Sequence, residues 1–233
     1  MKPYMNYRSM QRGIPINNTK RRILIAAGQE FSEHGYKGAS IRQICQRSGM
    51  NLSSVHYHFR DKKNLYRRTI YYACSRILRA YRKEFKFLAE SSPEQRLQAF
   101  ICNFIRCLSS GGGLNWKVRL LARNMIDPDG ITDATLIAFF RSEKYAIEKI
   151  VRDVVGESAD GRLVHMAILN IIGQCFGCFY LLPFERRVWG QGMSRQISWE
   201  QLVEHVAQFS LVWLRHLASI AGSRVSTVNI SGN

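Results

Sequence analysis

Apolar residues recur at three- and four-residue spacing along nearly the whole chain, and most runs begin and end at a recognisable helix signal. After the polar stretch Asn17-Asn18-Thr19, the spacing of Ile23, Ala26, Ala27, Glu30 and Phe31 predicts a helix over 19–34 that stops at Gly35. Ser40 is placed to cap a short helix with Ile41, Ile44 and Cys45 inward, ended by Ser48-Gly49. Asn51 caps a third, Leu52–Phe59, with Val55 and Phe59 facing the core. Beyond Arg60-Asp61 a long helix runs to about Leu88 through Leu65, Thr69, Ala73, Ile77, Ala80 and Phe85, uninterrupted by Pro or Gly.

The second half repeats the pattern on a larger scale. Ser92-Pro93-Glu94-Gln95 is a capping-box start for a helix carrying Leu97, Phe100, Ile101, Phe104 and Leu108, and Gly111-Gly112-Gly113 breaks the chain after it. Further helices are predicted from Trp116 to Met125, from about Thr132 to Val155, over 160–182, and from the second capping box Ser198-Trp199-Glu200-Gln201 to about Ile220. Pro183 to Gly192 reads as a loop, and residues 222–233 as a disordered tail. No alternating pattern of useful length appears, so the expected fold is all-α.

Leu163–Leu182 approaches the length of a membrane span, but His165, Asn170 and Gln174 would each be costly in lipid. A buried helix at a subunit interface is the better reading, with no membrane role. The start, Met1-Lys2-Pro3-Tyr4-Met5-Asn6, lacks the apolar run of a secretory signal. Six dispersed cysteines then read as free thiols in a reducing cytosol.

Charge narrows the partners. The 233 residues carry a formal net charge of +17, which favours polyanions. That charge is focused: residues 1–68 hold 14 Lys and Arg against only Glu30, Glu33 and Asp61. A basic head on a more balanced body predicts nucleic-acid binding. Within the head, helix, four-residue turn and short helix have the spacing of a helix-turn-helix, with Gly49 at the sharp reversal and Met50 behind it. The first turn of the second short helix offers Leu52, Ser53 and Ser54 to a groove. His56 and His58 are placed to donate to phosphates, with Tyr57 between them. A spacing of two puts the two histidines on different helix faces, against metal ligation.

This block resembles the TetR family of bacterial repressors. The resemblance is carried by Ile23-Leu24, Ala26-Ala27, Phe31-Ser32-Glu33-His34-Gly35-Tyr36, Ser40-Ile41-Arg42-Gln43-Ile44, Ser48-Gly49-Met50, Tyr57-His58-Phe59 and Asp61-Lys62-Lys63-Asn64-Leu65. It implies that Ser40 and Arg42 touch DNA from the start of the second helix. It also implies that Leu52, Ser53, Ser54, His56 and His58 read it, and that Lys62 meets a phosphate. The chain departs from the pattern at Cys45, where a small Ala is usual, at Asn51 in place of the Ser cap, and at His56 in place of Tyr.

The resemblance extends more loosely to the second half, where Asn115–Arg123 and Ile171–Phe176 look like the CecR-like subgroup. It implies a ligand-responsive repressor acting as a homodimer through helices at about 160–182 and 199–220, on a pseudo-palindromic double-stranded DNA operator, released by a small-molecule effector. Four segments follow: a flexible basic arm (1–18), the helix-turn-helix head (19–65), a ligand-binding and dimerisation domain (66–221) and the tail (222–233). Trp116, Arg119 and Arg123, spaced along one face, are candidates to hold an anionic or aromatic compound, with Phe140, Gln174 and Phe179 completing the lining. The arm, with Lys2, Arg8 and Arg12, enters a minor groove or only raises general affinity.

Two other classes stand beside this reading. A non-specific, architectural DNA-binding protein is the alternative to a sequence reader. An enzyme is not expected: there is no paired-carboxylate site, nucleophile–base pair, metal-spaced cluster or phosphate-cradling loop, and no cofactor is implied. Cys175-Phe176-Gly177-Cys178 spells C-x-x-C without the strand context that a redox motif requires.

Overall fold

The computed structural model describes residues 17–85, 91–109, 115–126, 134–188 and 197–228. Of the expected basic arm only Asn17 and Asn18 are among them; the triple glycine and residues 229–233 are not. The described residues form nine α-helices and no strand. They are α1 (Asn18–Gly38), α2 (Ile41–Ser48), α3 (Leu52–Phe59), α4 (Lys62–Phe85), α5 (Pro93–Ser109), α6 (Trp116–Ile126), α7 (Ala134–Val155), α8 (Gly161–Val188) and α9 (Trp199–Val228). The chain is all-α, as its periodicity predicts.

Two compact units divide it, residues 1–82 with 110–142, and residues 83–109 with 143–233. The first unit reaches beyond residue 65, the expected end of the head, to take in α4 as far as Arg82 and the whole of α6.

In the first unit α1 is the support. Asn17 caps it by accepting the Lys20 N–H at 2.9 Å. Its inner face buries Ile23, Leu24, Ala26, Ala27, Gly28, Glu30 and Phe31. The helix is predicted to stop at Gly35, and there the backbone leaves helical geometry (φ 69°, ψ 179°), a region open essentially to glycine alone. One further turn follows the kink, to Gly38. Helix α4 joins this core through Tyr66, whose ring meets Phe31 edge-on at 4.8 Å. The buried Tyr66 hydroxyl donates to Asn124 Oδ1 of α6 at 2.9 Å, while Asn124 Nδ2 donates to the Leu120 carbonyl at 2.7 Å. The Tyr66 hydroxyl and the Asn124 amide thus match each other and the backbone, as burial demands.

The second unit packs α5 against both α8 and α9. Both predicted capping boxes form. Ser92 Oγ accepts from Gln95 N–H while Gln95 Oε1 accepts from Ser92 N–H, and Ser198 and Gln201 do the same. Leu97, Phe100, Ile101, Ile105 and Leu108 of α5 are buried, with Val164, Ala167, Ile168, Ile171 and Cys175 of α8 and Val206, Ala207 and Leu214 of α9. The phenyl ring of Phe104 meets Phe176 edge-on at 5.3 Å, and Arg96 pairs with Asp153 of α7 at 2.7 Å.

Two boundaries differ from expectation. Helix α8 runs through Pro183 to Val188, where a loop is predicted. A mid-helix proline costs about 3 kcal/mol, an amount that a 28-residue helix with a long buried face can offset. Helix α9 continues past Ile220 to Val228, so the predicted tail begins as helix. Gly222 lowers helix propensity without removing a backbone donor. No helix among the described residues is long and apolar enough to cross a membrane.

Gly28 decides how closely α6 approaches α1, because a Cβ there would run into the six-membered ring of Trp116. That indole also stacks on Tyr72 at 6.4 Å with the planes 10° apart. Alanine would gain about 1 kcal/mol of helix propensity, but overpacking costs about 1–3 kcal/mol, so the steric term wins. Gly28→Ala is therefore expected to lower stability in thermal unfolding. Adding Trp116→Leu should recover part of the loss, a non-additivity that a double-mutant cycle reads directly.

Candidate nucleic-acid interface

The turn between α2 and α3 follows from three residues. Gly49 adopts the left-handed conformation (φ 64°, ψ 29°) and its N–H reaches the Cys45 and Gln46 carbonyls. The Met50 N–H donates to the Cys45 carbonyl at 3.1 Å, completing a Schellman-type close. Asn51 then caps α3 by accepting the Ser54 N–H at 2.8 Å. Ile44, Val55 and Phe59 are buried behind the turn, which leaves the opposite side of α3 in solvent.

That outer side is the candidate surface. Leu52, Ser53, His56 and Tyr57 are exposed, Ser54 and His58 half-buried, and Tyr57 is 84% exposed, far more than an aromatic ring needs for packing. The rings of Tyr57 and His58 meet at 5.0 Å. Ser40 at the N-cap of α2 makes no side-chain cap, and Arg42, two residues on in the first turn, is exposed. A helix start beside an exposed basic side chain suits a phosphate.

Two sequence-chosen residues have local duties as well. The His56 Nδ1–H donates to the Arg60 carbonyl at 2.6 Å, which leaves Nε2 outside that bond. Arg60 needs the support: at φ 65° and ψ −61° it sits at the centre of a γ-turn, closed by the Asp61 N–H on the Phe59 carbonyl at 2.8 Å. Turns of that hand are rare and strained. Lys62 is half-buried, its Nζ over the Tyr36 ring at 5.0 Å and donating to the Lys37 carbonyl at 3.2 Å. Asp61 caps α4 by accepting the Asn64 N–H at 2.7 Å.

Behind the surface lies an ionic network. Arg47 of α2 is bound by Glu33 of α1 at 3.2 and 2.6 Å. This holds the Glu33 carboxyl below its ordinary range and raises the guanidinium above its own. Glu30, Glu33 and His34 come close enough to suggest a cation site. The Arg47 guanidinium already supplies the positive charge there, with its Nε 3.4 Å from Glu30.

A compact helix-turn-helix with an exposed, basic-flanked second helix defines a DNA-binding protein. Comparison with known proteins places it further. The family model described as bacterial regulatory proteins, tetR family, matches residues 23–69, and that of the C-terminal domain of the HTH-type transcriptional dual regulator CecR matches residues 93–212. The chain belongs to the TetR family of transcriptional regulators, with a C-terminal domain of the CecR type.

Among curated relatives, the HTH-type transcriptional repressor AcnR of Corynebacterium glutamicum is 36% identical over 58 residues, 25% of this chain and 31% of that repressor. The regulator BetI of Escherichia coli is 27% identical over 144 residues, 61% of this chain and 69% of BetI. A TetR-family regulator from Agrobacterium tumefaciens shares the fold with a TM-score of 0.57 at 17% identity, covering 83% of this chain and 95% of that one. These are families of regulators, not enzymes, consistent with a sequence that offers no catalytic constellation.

The residues chosen for an effector fall in both units. Trp116, Arg119, Arg123 and Phe140 belong to the first, Gln174 and Phe179 to the second. Trp116 lies on Gly28 and Tyr72, the Arg123 guanidinium lies against Gly35, and Arg119 is exposed. Phe140 meets Phe139 edge-on at 5.2 Å. Gln174 donates to Asn170 along its own helix at 2.9 Å, and the Phe179 side chain lies outside the described residues. A cavity of about 690 Å³ opens in the second unit, lined by Gln98, Cys102, Ile105, Trp199, Val203 and Glu204 among others.

Sequence reading passed over three residues. Glu30 and Arg47 carry the ionic network; the signal for Glu30 was a carboxylate on the otherwise apolar face of α1. The third is Glu143 of α7, whose carboxyl burial pushes up to about 7. The unfolded chain releases that proton near 4.5, so between 4.5 and 7 the folded state holds the extra proton. Stability conferred by the neutral form is therefore complete below 4.5, falls as pH rises to 7, and stays low above it. Glu143→Gln is expected to flatten this dependence and to raise stability above pH 7 by up to about 3 kcal/mol, measured by denaturant unfolding across pH 5–8.

Proposed function

We propose that the protein is a ligand-responsive repressor that binds a pseudo-palindromic operator as a homodimer. The observation that carries the DNA reading is the exposed outer side of α3, with Leu52, Ser53, Ser54, His56, Tyr57 and His58 presented from a basic head. In this reading α3 lies in a major groove. Ser40 and Arg42 hold its flank, and Lys62 contributes its charge from the start of α4. Residues 1–18, with Lys2, Arg8 and Arg12, add basic charge to the head, either as an arm into the neighbouring minor groove or by raising general affinity.

Dimerisation is supported by apolar side chains left in solvent on two neighbouring helices. Met166 and Leu169 of α8 and Phe209, Val212 and Trp213 of α9 are exposed, Val212 at 66%. A second copy would cover them, and the helices are those whose sequence suggests an interface. Two such subunits would set their recognition helices about one helical turn, roughly 34 Å, apart. The effector site in this reading lies in the second unit, where the cavity has small-molecule size. Release follows if the effector binds the DNA-incompetent state more tightly, since equal affinity shifts nothing. A cytosolic location accompanies the role.

Two measurements test it. Duplexes selected from a random pool by the full-length protein should bind at least about 1,000-fold more tightly than random duplex at fixed salt, as specific readers do. Tyr57→Ala should lower affinity for the selected duplex by more than for the random one. Equal loss on both would favour the non-specific alternative. Val212→Glu with Trp213→Glu should give a monomer in analytical ultracentrifugation and weaken selected-duplex binding, because each half-site then acts alone.

A further inference from the structure

Glu30 is fully buried, the one charged residue among those described with 0% exposure. Removing a carboxylate from water costs several kcal/mol, so its partners must account for its place on the core face of α1. They lie at the two ends of α2. Oε1 accepts the Ser40 N–H at 3.1 Å, at the N-cap. Oε2 faces Arg47 Nε at 3.4 Å, in the last turn, and has no hydrogen-bond partner of its own. The rest of the Arg47 guanidinium is held by Glu33, one turn along α1. One carboxylate thus engages the first and last turns of an eight-residue helix.

Apolar packing of α2 on α1 would not need this. Leucines at both 30 and 47 would fill the space, and replacing a whole buried ion pair by packed hydrophobic residues is often neutral or stabilising. What apolar contact does not supply is direction: Ile44 can slide or roll against α1 at small cost, whereas the Ser40 N–H donated to Glu30, with the Arg47 guanidinium bonded twice to Glu33 and 3.4 Å from Glu30, fixes both the axial position and the rotation of α2. Helix α3 follows α2 through the Gly49 turn and the shared core of Ile44, Val55 and Phe59. We infer that Glu30 is a positioning residue for sequence reading, holding the helix-turn-helix at the setting in which α3 meets base edges. The inference rests on the DNA-reading role of α3.

The test compares full-length wild type, Glu30→Leu, Glu30→Gln and Arg47→Gln on a duplex selected by the wild type and on random duplex of the same length. Glu30→Leu leaves the Ser40 N–H without its acceptor and is expected to lower the melting temperature, while the selected-to-random affinity ratio falls about tenfold, the size of losing roughly one base-pair readout. Glu30→Gln keeps an acceptor for the Ser40 N–H and should retain part of the ratio. Arg47→Gln should lower the ratio without changing the salt slope, since losing a direct phosphate contact would instead weaken both duplexes alike and reduce that slope by about 1. A Glu30→Leu protein that folds and keeps the full ratio overturns the inference. If that variant does not fold, an unchanged ratio in both glutamine variants overturns it. A wild type that shows no preference for any selected duplex is a different failure, that of the DNA-reading role itself.

Discussion

Everything in the first unit depends on how fully α1 is buried. The helix gives one face to Ile23, Ala27 and Phe31, and the elements that matter for DNA lean on that face from different sides. Helix α2 packs against it, Tyr66 of α4 closes on Phe31, and α6 reaches it where Gly28 leaves room for an indole. A short helix such as α3 has too few residues to hold itself in water, so its geometry is borrowed from this support. The recognition surface is rigid because what lies behind it is crowded.

Much of this was legible in the sequence, and the reasons are specific. Helix starts were readable because Ser92, Ser198, Asn17 and Asn51 carry side chains that satisfy backbone donors locally, and all four do so. The turn at Gly49 was readable because a positive φ at a reversal selects glycine. Helix ends set by tertiary packing were harder. Pro183 looked like a stop, and only the buried stripe from Val164 to Cys175 shows why α8 continues. Trp116, Arg119 and Arg123 share a helix face, but the pattern does not say that their helix seats itself on α1. The roles of Glu30 and Arg47, separated by a kink and a turn, depend on a contact that no local spacing encodes.

Charge and burial act on opposite sides of the same small domain. The exposed surface carries an excess of basic side chains, whereas the interior holds a carboxylate. Long-range attraction of this kind raises encounter rates with any polyanion and does not distinguish one sequence from another. Discrimination comes from short, directional contacts at base edges, and these require the reading helix to be held to within a fraction of an ångström. The network behind α2 and the uncapped hydroxyl of Ser40 in front of it therefore serve different ends.

The junction between α3 and α4 has a mechanical consequence. Only Arg60 and Asp61 separate the two helices, and that link is a γ-turn pinned by His56 on one side and capped by Asp61 on the other. So short a splice leaves almost no slack. At 1.5 Å per residue, α4 is about 36 Å long and α3 about 12 Å, so a pivot at the splice works as an unequal lever. A 5° swing displaces the far end of α4 by roughly 3 Å and the tip of α3 by only about 1 Å. Any rotation carried rigidly through that splice would therefore move the tip of α3 about a third as far as the far end of α4.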